Sequence, residues 1–403
     1  MTYEQTLNWM FAQLPMYQQK GKKAFNGKLD GIMVFTERLG NPHRLFKSIH
    51  VAGTNGKGSS SHMLASILQE AGYTVGLYTS PHLKDFRERI RINGKTVSKK
   101  FVIDFISNHK SFLEEHKLSF FEMTVGMAFG YFAQKNIDIA IIEVGLGGRL
   151  DSTNIIVPEV SLITNIGLDH MDMLGDTMDK IAFEKAGIIK KDIPVVVSEY
   201  QPRIASVFEN VAKSKNAKLI FASKGKFPKY ETSLLGNYQD RNVKGILAVI
   251  KELKGFKIRE EHIRKGLLKV QENTHLMGRW QLLGEHPKVI CDTAHNKEGL
   301  ALVMQQLKEE TFKKLHIVLG FVKDKNLTNV LLLFPGEAQY YFCKPNIPRG
   351  LDATLLSEQA NEFGLKGAVY PGVDLALKAA RTNASEQDLI FIGGSNFTVA
   401  EIV

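Results

Sequence analysis

Cysteine is scarce in this chain of 403 residues. Its two cysteines, Cys291 and Cys343, are far apart and lack the spacing of metal ligands, so the sequence predicts neither a structural disulfide nor a zinc site. Low cysteine usage of this kind is typical of proteins in a reducing compartment.

Long apolar runs and low-complexity segments are also absent. No stretch approaches the roughly 20 apolar residues that a membrane-spanning helix requires. Residues 1–15 carry an early acidic residue and lack the basic and apolar regions of a signal peptide. We therefore expect a cytoplasmic protein with no membrane partner.

The formal net charge is +10, from 52 Lys and Arg against 42 Asp and Glu. Such a balance can indicate nucleic acid, an anionic membrane surface or small polyanions such as nucleotides. The densest basic runs, at residues 20–23 and 213–218, have no interleaved aromatic residues that could stack on bases. We interpret them as solvated surface and predict no nucleic-acid partner.

Hydrophobic residues make up 44% of the chain and charged residues 23%, as in a globular protein. At this length we expect two or three compact units. In the first part of the chain, apolar strands alternate with amphipathic helices, which predicts an α/β fold with a mostly parallel sheet. An Asn93-Gly94 pair after alternating apolar residues predicts a hairpin. The strands are predicted at residues 45–53, 74–80, 137–145, 160–165, 194–198 and 219–222, and the helices at residues 60–71, 99–115, 123–134, 242–253 and 260–270.

A polar stretch with turn residues follows the last of these helices, and we place a domain boundary near Asn273. This divides the chain into domains at residues 1–273 and 274–403. The second, smaller domain is again predicted to be α/β. Its strands are predicted at residues 288–293, 315–320, 338–343 and 388–393.

A glycine-rich loop, GTNGKGSS, lies between the first predicted strand and helix. Its glycines would let the backbone approach a phosphate, a lysine could neutralise the charge, and a hydroxyl could bind Mg²⁺. The spacing departs from the common pattern, because two residues separate the first glycines and a glycine follows the lysine. A tight turn with a surface lysine is the alternative, but the flanking strand and helix favour ATP. The predicted ATP-binding residues of the loop are Gly53, Thr54, Asn55, Gly56, Lys57, Gly58, Ser59 and Ser60.

Seven blocks occur in an order that resembles the folylpolyglutamate and dihydrofolate synthases, relatives of the Mur peptidoglycan ligases. They are HVAGTNGKGS, TSPHL, EVGLGGRLDSTN, TNIGLDHMDMLG, EKAGI, GRWQ and DTAHN. The resemblance runs from about residue 25 to the C-terminus, and Gly58 favours this branch over the Mur branch. It implies a P-loop ATPase-like N-terminal domain and a Rossmann-like C-terminal domain, with the active site between them.

The resemblance implies an ATP-dependent amide ligase that adds L-glutamate to dihydropteroate, to tetrahydrofolate, or to both, through an acyl phosphate. ATP and two Mg²⁺ ions are implied, and a K⁺ requirement stays open. Members of the family are usually monomers. Two other functions remain open at this point: a Mur-type ligase acting on a UDP-linked muramoyl peptide, and a nucleotide-binding switch without ligase activity.

The resemblance also implies a catalytic and metal-binding set. Glu143 ends an apolar strand, the usual place for a ligand in an open α/β sheet. From the residues alone, Ser80 would be a turn residue, His170 a loop histidine and Lys185 a helix-surface lysine. Lys185 resembles a lysine that many members of the family carry as a carbamate. The catalytic residues are predicted to be Lys57, Glu143, His170 and Lys185, and the metal ligands Ser59, Ser80, Glu143, His170 and carbamylated Lys185.

The remaining candidates follow from the same blocks. Asn242, Arg279 and Asp292 resemble ATP contacts, although Arg279 could be a linker charge and Asp292 a helix cap. A phenylalanine in an apolar helix, such as Phe121, is more often part of the core than a ring that stacks on a pterin. The predicted substrate-binding residues are Phe121, Glu122, Thr124, Leu150, Asp151, Ser152 and His295.

Overall fold

The computed structural model describes residues 1–12, 29–323 and 327–403, so the basic run at residues 20–23 lies outside the described residues. The chain divides into two compact units. The first comprises Met1–Ser233 and Asp240–His275, and the second comprises Leu234–Gln239 and Leu276–Val403. The predicted boundary near Asn273 lies just before the end of the first unit. No pattern in the sequence indicated that residues 234–239 belong with the second unit.

The described residues of the first unit form an eight-stranded sheet in the order β4-β3-β2-β5-β1-β6-β7-β8. Neighbouring strands are parallel except at one edge, where β3 is antiparallel to both β2 and β4. The prediction of a mostly parallel sheet is therefore confirmed. The strands are β1 Lys47–Ala52, β2 Val75–Tyr78, β3 Ile90–Ile92, β4 Lys95–Thr96, β5 Ile139–Glu143, β6 Val160–Ile163, β7 Val195–Val197 and β8 Leu219–Phe221.

The edge hairpin forms where Asn93-Gly94 predicted it. Both residues have positive φ, 46° for Asn93 and 75° for Gly94, as a tight two-residue turn between twisted strands requires. At the centre of the sheet, β5 is buried over its whole length, because helices cover both faces.

Among the helices that begin earlier than predicted, two do so for clear local reasons. α3 begins at Lys57 because Gly56, at φ 87°, ends the glycine loop. α5 begins at Phe120 because Ser119 and Glu122 form a capping box. The helix predicted at 260–270 is divided in two. The helices are α1 Tyr3–Ala12, α2 Asp30–Arg38, α3 Lys57–Glu70, α4 Lys99–Glu115, α5 Phe120–Gln134, α6 Met171–Leu174, α7 Met178–Ala186, α8 Ala205–Ser214, α9 Gln239–Glu252, α10 Glu260–Leu268 and α11 Val270–Thr274.

Separate apolar clusters pack on the sheet of the first unit. One contains the aromatic side chains Phe35, Phe129 and Phe132, from α2 and α5. The other is mostly aliphatic and includes Ile163 and Ile181. The central strands are thereby held between two packed layers, which fixes the edge where their carboxyl ends emerge.

The described part of the second unit forms a six-stranded sheet in the order β13-β12-β11-β14-β10-β9, in which β9 is antiparallel to its neighbour and the other strands are parallel. The four predicted strands are present, whereas β9 and β13 were missed. Cys291 and Cys343 are buried free thiols. The strands are β9 Gln281–Glu285, β10 Lys288–Cys291, β11 Leu315–Leu319, β12 Gln339–Cys343, β13 Gly367–Tyr370 and β14 Leu389–Gly393. The helices are α12 Lys297–Glu309, α13 Thr328–Leu331, α14 Ala353–Asn361, α15 Val373–Asn383 and α16 Asn396–Ala400.

Within the described residues, no helix is both long enough and apolar enough to cross a membrane.

Candidate active site

Four adjacent parallel strands of the first unit lie in the order β2-β5-β1-β6, and the first three end at or beside predicted functional residues. Ser80 follows β2, Glu143 is the last residue of β5, Gly53 follows β1, and Thr164 follows β6. Because the carboxyl ends of parallel strands lie at one edge of a sheet, these residues come together although they are far apart in sequence.

The glycine loop requires glycine at two of its positions. Gly53 and Gly56 have positive φ, 146° and 87°. A Cβ atom at Gly53 would collide with the hydroxyl of Thr164, and one at Gly56 would collide with the side-chain oxygen of Asn242. The predicted nucleotide residue Asn242, from α9, therefore lies directly against the loop.

The loop is held in shape by residues that follow β6. The backbone N–H of Thr54 donates to the carbonyl of Asn165 at 2.8 Å, and the N–H of Asn55 donates to the Asn165 side chain at 2.9 Å. The Thr164 hydroxyl donates to the carbonyl of Asn55 at 2.6 Å. These contacts occupy the start of the loop and leave the N-terminus of α3 as the part suited to an anion, because the positive end of a helix dipole attracts negative charge.

Two lysines converge on one carbonyl of the loop. Lys57 Nζ donates to the carbonyl oxygens of Gly53 at 3.0 Å and Thr54 at 3.1 Å. Lys185 Nζ, from α7, donates to the same Gly53 oxygen at 2.9 Å. Burial, and to a smaller extent the charge of Lys57, lower the pKa of Lys185 to about 7, although Asp169 and Asp151 oppose the shift. A lysine that the sequence alone placed on a helix surface is thus buried beside the loop.

The structure brings some of the predicted metal ligands close together, but not all of them. The backbone N–H of Ser80 donates to Glu143 Oε2 at 3.3 Å, and Glu143 is buried. His170 precedes α6 with a left-handed backbone, and its ring Nε2 lies 3.9 Å from Asp169 Oδ2. Over residues 1–12, 29–323 and 327–403, no three or more His, Cys, Asp or Glu side chains form a cluster that could hold a metal. The structure therefore places Ser80 beside Glu143 and pairs His170 with Asp169.

The serines of the loop lie in the first turn of α3. Ser59 and Ser60 are both buried. In the part of the chain that the structure describes, the Ser60 hydroxyl has no hydrogen-bond partner. An unpaired buried hydroxyl at a helix N-terminus is suited to an oxygen-rich ligand.

The predicted substrate residues on α5 differ in what their side chains do. The Phe121 ring is half-buried and packs so tightly on Gly145 that a Cβ there would overlap it. Glu122 caps α5 by accepting from the Ser119 N–H at 2.7 Å, and the Thr124 hydroxyl donates to the carbonyl of Phe120 at 2.7 Å. The side chains of Glu122 and Thr124 thus bond to the backbone at the start of α5, whereas the side chain of Phe121 does not.

Asp151 is the most buried of the predicted substrate residues that follow Gly148, while Leu150 and Ser152 are half-buried. Asp151 Oδ2 accepts from the N–H of Leu146 at 2.9 Å, and its Oδ1 accepts from the N–H of Thr153 at 3.0 Å. Burial raises the pKa of Asp151, and these donors oppose the shift.

The other predicted residues belong to the second unit. Asp292 follows β10 and accepts from the hydroxyl of Tyr238 and the N–H of Trp280, both at 2.7 Å, and from the N–H of Ala294 at 2.8 Å. Burial raises the pKa of Asp292, while the charge of Arg279 lowers it.

Asp292 is not the cap of the following helix, because Asn296 caps α12. His295 is half-buried in the same loop, with its Nδ1 3.1 Å from the carbonyl of Thr293.

Sequence reasoning missed several residues that shape these sites. Thr164 and Asn165 fasten the glycine loop, Asp169 pairs with His170, and Tyr238 binds Asp292. Thr164 and Asn165 end a predicted strand, and that position was the signal that could have found them. Tyr238 precedes Asp292 by 54 residues, and no local pattern connects the two.

Comparison with known proteins supports the same family in both units. The Mur ligase middle domain matches residues 51–259, and the Mur ligase glutamate ligase domain matches residues 278–396. A dihydrofolate synthase/folylpolyglutamate synthase of Bacillus subtilis (strain 168) is 32% identical over 434 residues, which cover 99% of this chain and 98% of that protein. The chain belongs to the folylpolyglutamate synthase/dihydrofolate synthase family.

Another relative of this family is longer. A probable bifunctional folylpolyglutamate synthase/dihydropteroate synthase of Haloferax volcanii is 32% identical over 431 residues, which cover 100% of this chain and 50% of that protein. This chain therefore spans about half the length of that relative.

Solved structures of the family have the same fold. Escherichia coli FolC in complex with DHPP and ADP superposes with a TM-score of 0.85 at 30% identity, over 98% of this chain and 96% of that one. A bifunctional folylpolyglutamate synthase/dihydrofolate synthase with Mn, AMPPNP and L-glutamate bound gives a TM-score of 0.82 at 31% identity, over 93% of each chain. The predicted fold class and family are confirmed, and the chain is a ligase of this family and not a Mur-type peptide ligase.

Proposed function

We propose that this chain is an ATP-dependent ligase that joins L-glutamate to dihydropteroate, to tetrahydrofolate, or to both. The observation that carries the proposal is the glycine loop with Lys57, at the same sheet edge as Glu143 and Ser80, in a member of this family. The relatives add support, because one was solved with DHPP and ADP and another with Mn, AMPPNP and L-glutamate.

The reaction activates a carboxylate. A carboxylate oxygen of the pteroate or folate attacks the γ-phosphorus of ATP, and ADP leaves. The α-amine of glutamate then attacks the acyl carbon, phosphate leaves, and the nitrogen loses its proton to give the amide. Transfer of this kind depends mainly on position and charge neutralisation. Lys57 and the N-terminus of α3 supply the positive charge in this proposal, with Asn242 beside the loop.

The residues at this edge suit a hard cation. Glu143 offers a buried carboxylate next to Ser80, and Ser59 offers a hydroxyl in the first turn of α3. Mg²⁺ prefers oxygen ligands and keeps several waters, so few protein groups suffice. When bound, Mg²⁺ would neutralise charge on the phosphates. A second ion near His170 and Lys185, and a K⁺ requirement, are finer parts of the proposal.

Lys185 is proposed to carry a carbamate. Its pKa of about 7 leaves a large share of the amine neutral near pH 7, and only a neutral amine can attack CO₂. The attack forms an N–C bond, opens one C=O π bond of CO₂ and releases one proton, so the neutral amine becomes an anionic carbamate. Counting the proton that the ammonium loses before the attack, the side chain changes from a cation to an anion. Crystals grown with bicarbonate should show the three added atoms on Nζ, and a bare amine there would refute the modification.

The acceptor carboxylate is proposed to approach from the side of Phe121. Leu150, Asp151 and Ser152 would line this pocket, and Glu122 and Thr124 would shape it by holding the start of α5. In the second unit, Arg279 and Asp292 are proposed to contact ATP, and His295 the substrate. We also propose a cytoplasmic monomer that does not act on nucleic acid.

The decisive experiment measures ADP release by the purified chain with ATP, Mg²⁺ and L-glutamate, adding dihydropteroate or tetrahydrofolate in separate reactions. We expect release that requires both glutamate and a pterin substrate, and the substrate that is accepted identifies the step. D-glutamate serves as the control for the amine substrate. Release that is indifferent to glutamate and to both pterins would refute the ligase and favour a nucleotide switch.

A further inference from the structure

His50 is a fully buried histidine in β1, three positions before Gly53. Its Nε2 lies 2.8 Å from the hydroxyl of Thr153, a residue of the short 3₁₀ turn Ser152–Ile155. The Thr153 hydroxyl in turn contacts Asp151 Oδ1 very closely. A buried hydrogen-bonded chain therefore runs from the central strand of the sheet to a predicted substrate residue.

The direction of this chain follows from its chemistry. An ionised carboxylate only accepts hydrogen bonds, so the single hydroxyl proton of Thr153 points to Asp151. The imidazole must then donate to Thr153 through Nε2–H. Burial, and to a smaller extent the charge of Lys190, lower the pKa of His50 to about 3, so the ring is neutral. Its proton sits on Nε2, and Nδ1 carries a lone pair.

The surroundings of His50 Nδ1, the atom that carries this lone pair, are unusual. No partner for His50 Nδ1 exists among the described residues, although the atom is completely buried. An unpaired buried polar atom is destabilising, and an apolar ring of similar shape would avoid that cost. The value of an imidazole at this position therefore lies in the hydrogen bond that it donates to Thr153.

Asp151, at the other end of the chain, fastens the glycine segment that follows β5. Its Oδ2 accepts from the N–H of Leu146 at 2.9 Å. The neighbouring Gly145 packs against the ring of Phe121. If Asp151 changes rotamer, the segment at residues 145–151 loses this hydrogen bond. The position of Gly145, against which the Phe121 ring packs, is then no longer fixed.

We propose that His50 and Thr153 are positioning residues that fix the Asp151 carboxylate and, through it, the acceptor-side pocket formed by Phe121, Gly145 and residues 150–152. The inference rests on the proposed function, because it assigns the pocket to the pteroate or folate substrate. Neither residue needs to touch the substrate. They set its affinity by holding the groups that do.

The test uses two pairs of variants of the full chain. Thr153→Val removes the hydroxyl and keeps the shape, while Thr153→Ser restores the hydroxyl. His50→Phe removes the donor, while His50→Gln places an amide N–H near the position of Nε2. We expect the KM for the pterin substrate to rise about tenfold in Thr153→Val and His50→Phe, the factor that corresponds to one lost hydrogen bond of good geometry. Thr153→Ser and His50→Gln should stay within about threefold of the wild type.

The KM for ATP distinguishes a positioning role of His50 and Thr153 from a general disruption of β1. A disrupted β1 would also disturb the glycine loop, because this strand leads directly into it. We expect it to stay within about twofold in all four variants. An equal rise in both KM values, or no recovery in Thr153→Ser and His50→Gln, would overturn the proposal. If Thr153→Val does not fold, Thr153→Ala replaces it, with the same expected split.

Direct binding distinguishes this inference from the ligase proposal. Pterin fluorescence gives the Kd of dihydropteroate or tetrahydrofolate without turnover. If the wild type binds the pterin but forms no amide, the ligase proposal fails, and the order of the four Kd values still decides the roles of His50 and Thr153. A wild type that binds no pterin overturns both.

Discussion

At the residue scale, Lys185 makes the stability of the protein depend on pH. Its pKa falls from 10.5 to about 7 on folding. Between these values the unfolded chain binds a proton that the native chain does not, so the free energy of unfolding rises with pH. The slope from this group is at most about 1.4 kcal/mol per pH unit. The destabilising contribution is complete below pH 7 and absent above pH 10.5.

Urea unfolding from pH 7 to 9.5, in metal-free buffer purged of CO₂, measures this slope. We expect Lys185→Met to flatten it. Lys180→Met is the matched control on α7, because Lys180 is exposed and ion-paired with Asp176. A slope that is the same in wild type and Lys185→Met would contradict the buried, neutral lysine.

The substitution Glu143→Gln tests the metal site more specifically than truncation of this side chain would. In Glu143→Gln the amide oxygen can still accept the N–H of Ser80, so the fold should be kept while the charge is lost. We expect the Mg²⁺ concentration for half-maximal ADP release to rise at least tenfold and the melting temperature to stay within about 2 °C. An unchanged Mg²⁺ dependence would remove Glu143 from the metal site.

Tyr238 is predicted to set the affinity for ATP through Asp292. Tyr238→Phe removes one of the donors to the buried carboxylate and leaves those of Trp280 and Ala294. We expect a loss of about 1 kcal/mol in stability and a KM for ATP that rises severalfold, with the KM for glutamate unchanged.

The control for Tyr238→Phe is Tyr340→Phe in the same unit. The Tyr340 hydroxyl bonds to the carbonyl of Pro335, so its loss should lower stability without changing either KM. Equal kinetic effects in the two variants would show that the change acts through the stability of the unit alone.

Sequence alone was sufficient to propose residues whose type and local setting suit the chemistry. Gly53, Gly56 and Lys57 sit between a strand and a helix, and Glu143 closes an apolar strand, so short windows sufficed. The burial of Lys185 and the His50–Thr153–Asp151 chain depend on segments that are about a hundred residues apart. No local pattern encodes contacts of that kind.

At the scale of elements, α3 is held along its length by α10 and α11. The Ser66 hydroxyl donates to the carbonyl of Gly266 at 2.6 Å, and the Asn273 side chain donates to Ser66 and to Glu70, both at 3.0 Å. His62 Nδ1 lies 2.8 Å from the Thr274 hydroxyl. The helix whose N-terminus forms the glycine loop thus has fixed polar partners at its far end.

The close approach of α10 to α3 requires Gly266. A Cβ there would lie 2.5 Å from the Cα of Ile67. Alanine favours a helix over glycine by about 1 kcal/mol, yet we expect Gly266→Ala to destabilise the protein by about 1–3 kcal/mol because backbone must move.

Gly130→Ala in α5 is the matched control, since its nearest neighbour would be 3.4 Å away, at Phe105. Denaturant unfolding should show Gly130→Ala unchanged or slightly stabilised. A Gly266→Ala protein as stable as the wild type would show that α3 and α10 are not in tight contact.

Strands with buried apolar runs were predicted from the sequence. β5 and β11 are buried throughout, and both were found. β13 is an edge strand with three exposed residues, and β9 is half-exposed, so neither shows the apolar pattern of a central strand. Their pairing depends on the neighbouring strand, which lies outside any short window.

At the scale of the whole molecule, each of the two compact units has its own apolar core. The groups that form the glycine loop and its supports, Gly53, Thr164 and Asn242 among them, all belong to the first unit. A ligand that binds only the native loop stabilises the unit that contains it, by about 2.7 kcal/mol at a concentration of 100 times Kd.

Scanning calorimetry with and without ATP and Mg²⁺ should therefore show one transition move up by roughly 5–10 °C, given that about 1 kcal/mol shifts a domain of this size by 2–4 °C. Lys57→Ala should melt at about the same temperature as the wild type without ligand, because the hydrogen bonds of its ammonium to described residues go to backbone oxygens of its own loop. The Lys57→Ala protein should lose most of the increase in melting temperature that ATP and Mg²⁺ produce.

The net charge of +10 attracts any polyanion, so tripolyphosphate is the control. It is used at 0.15 M salt, an ionic strength that screens charges beyond about 8 Å. An equal shift with tripolyphosphate, or an undiminished shift in Lys57→Ala, would mean that the surface and not the loop binds the nucleotide.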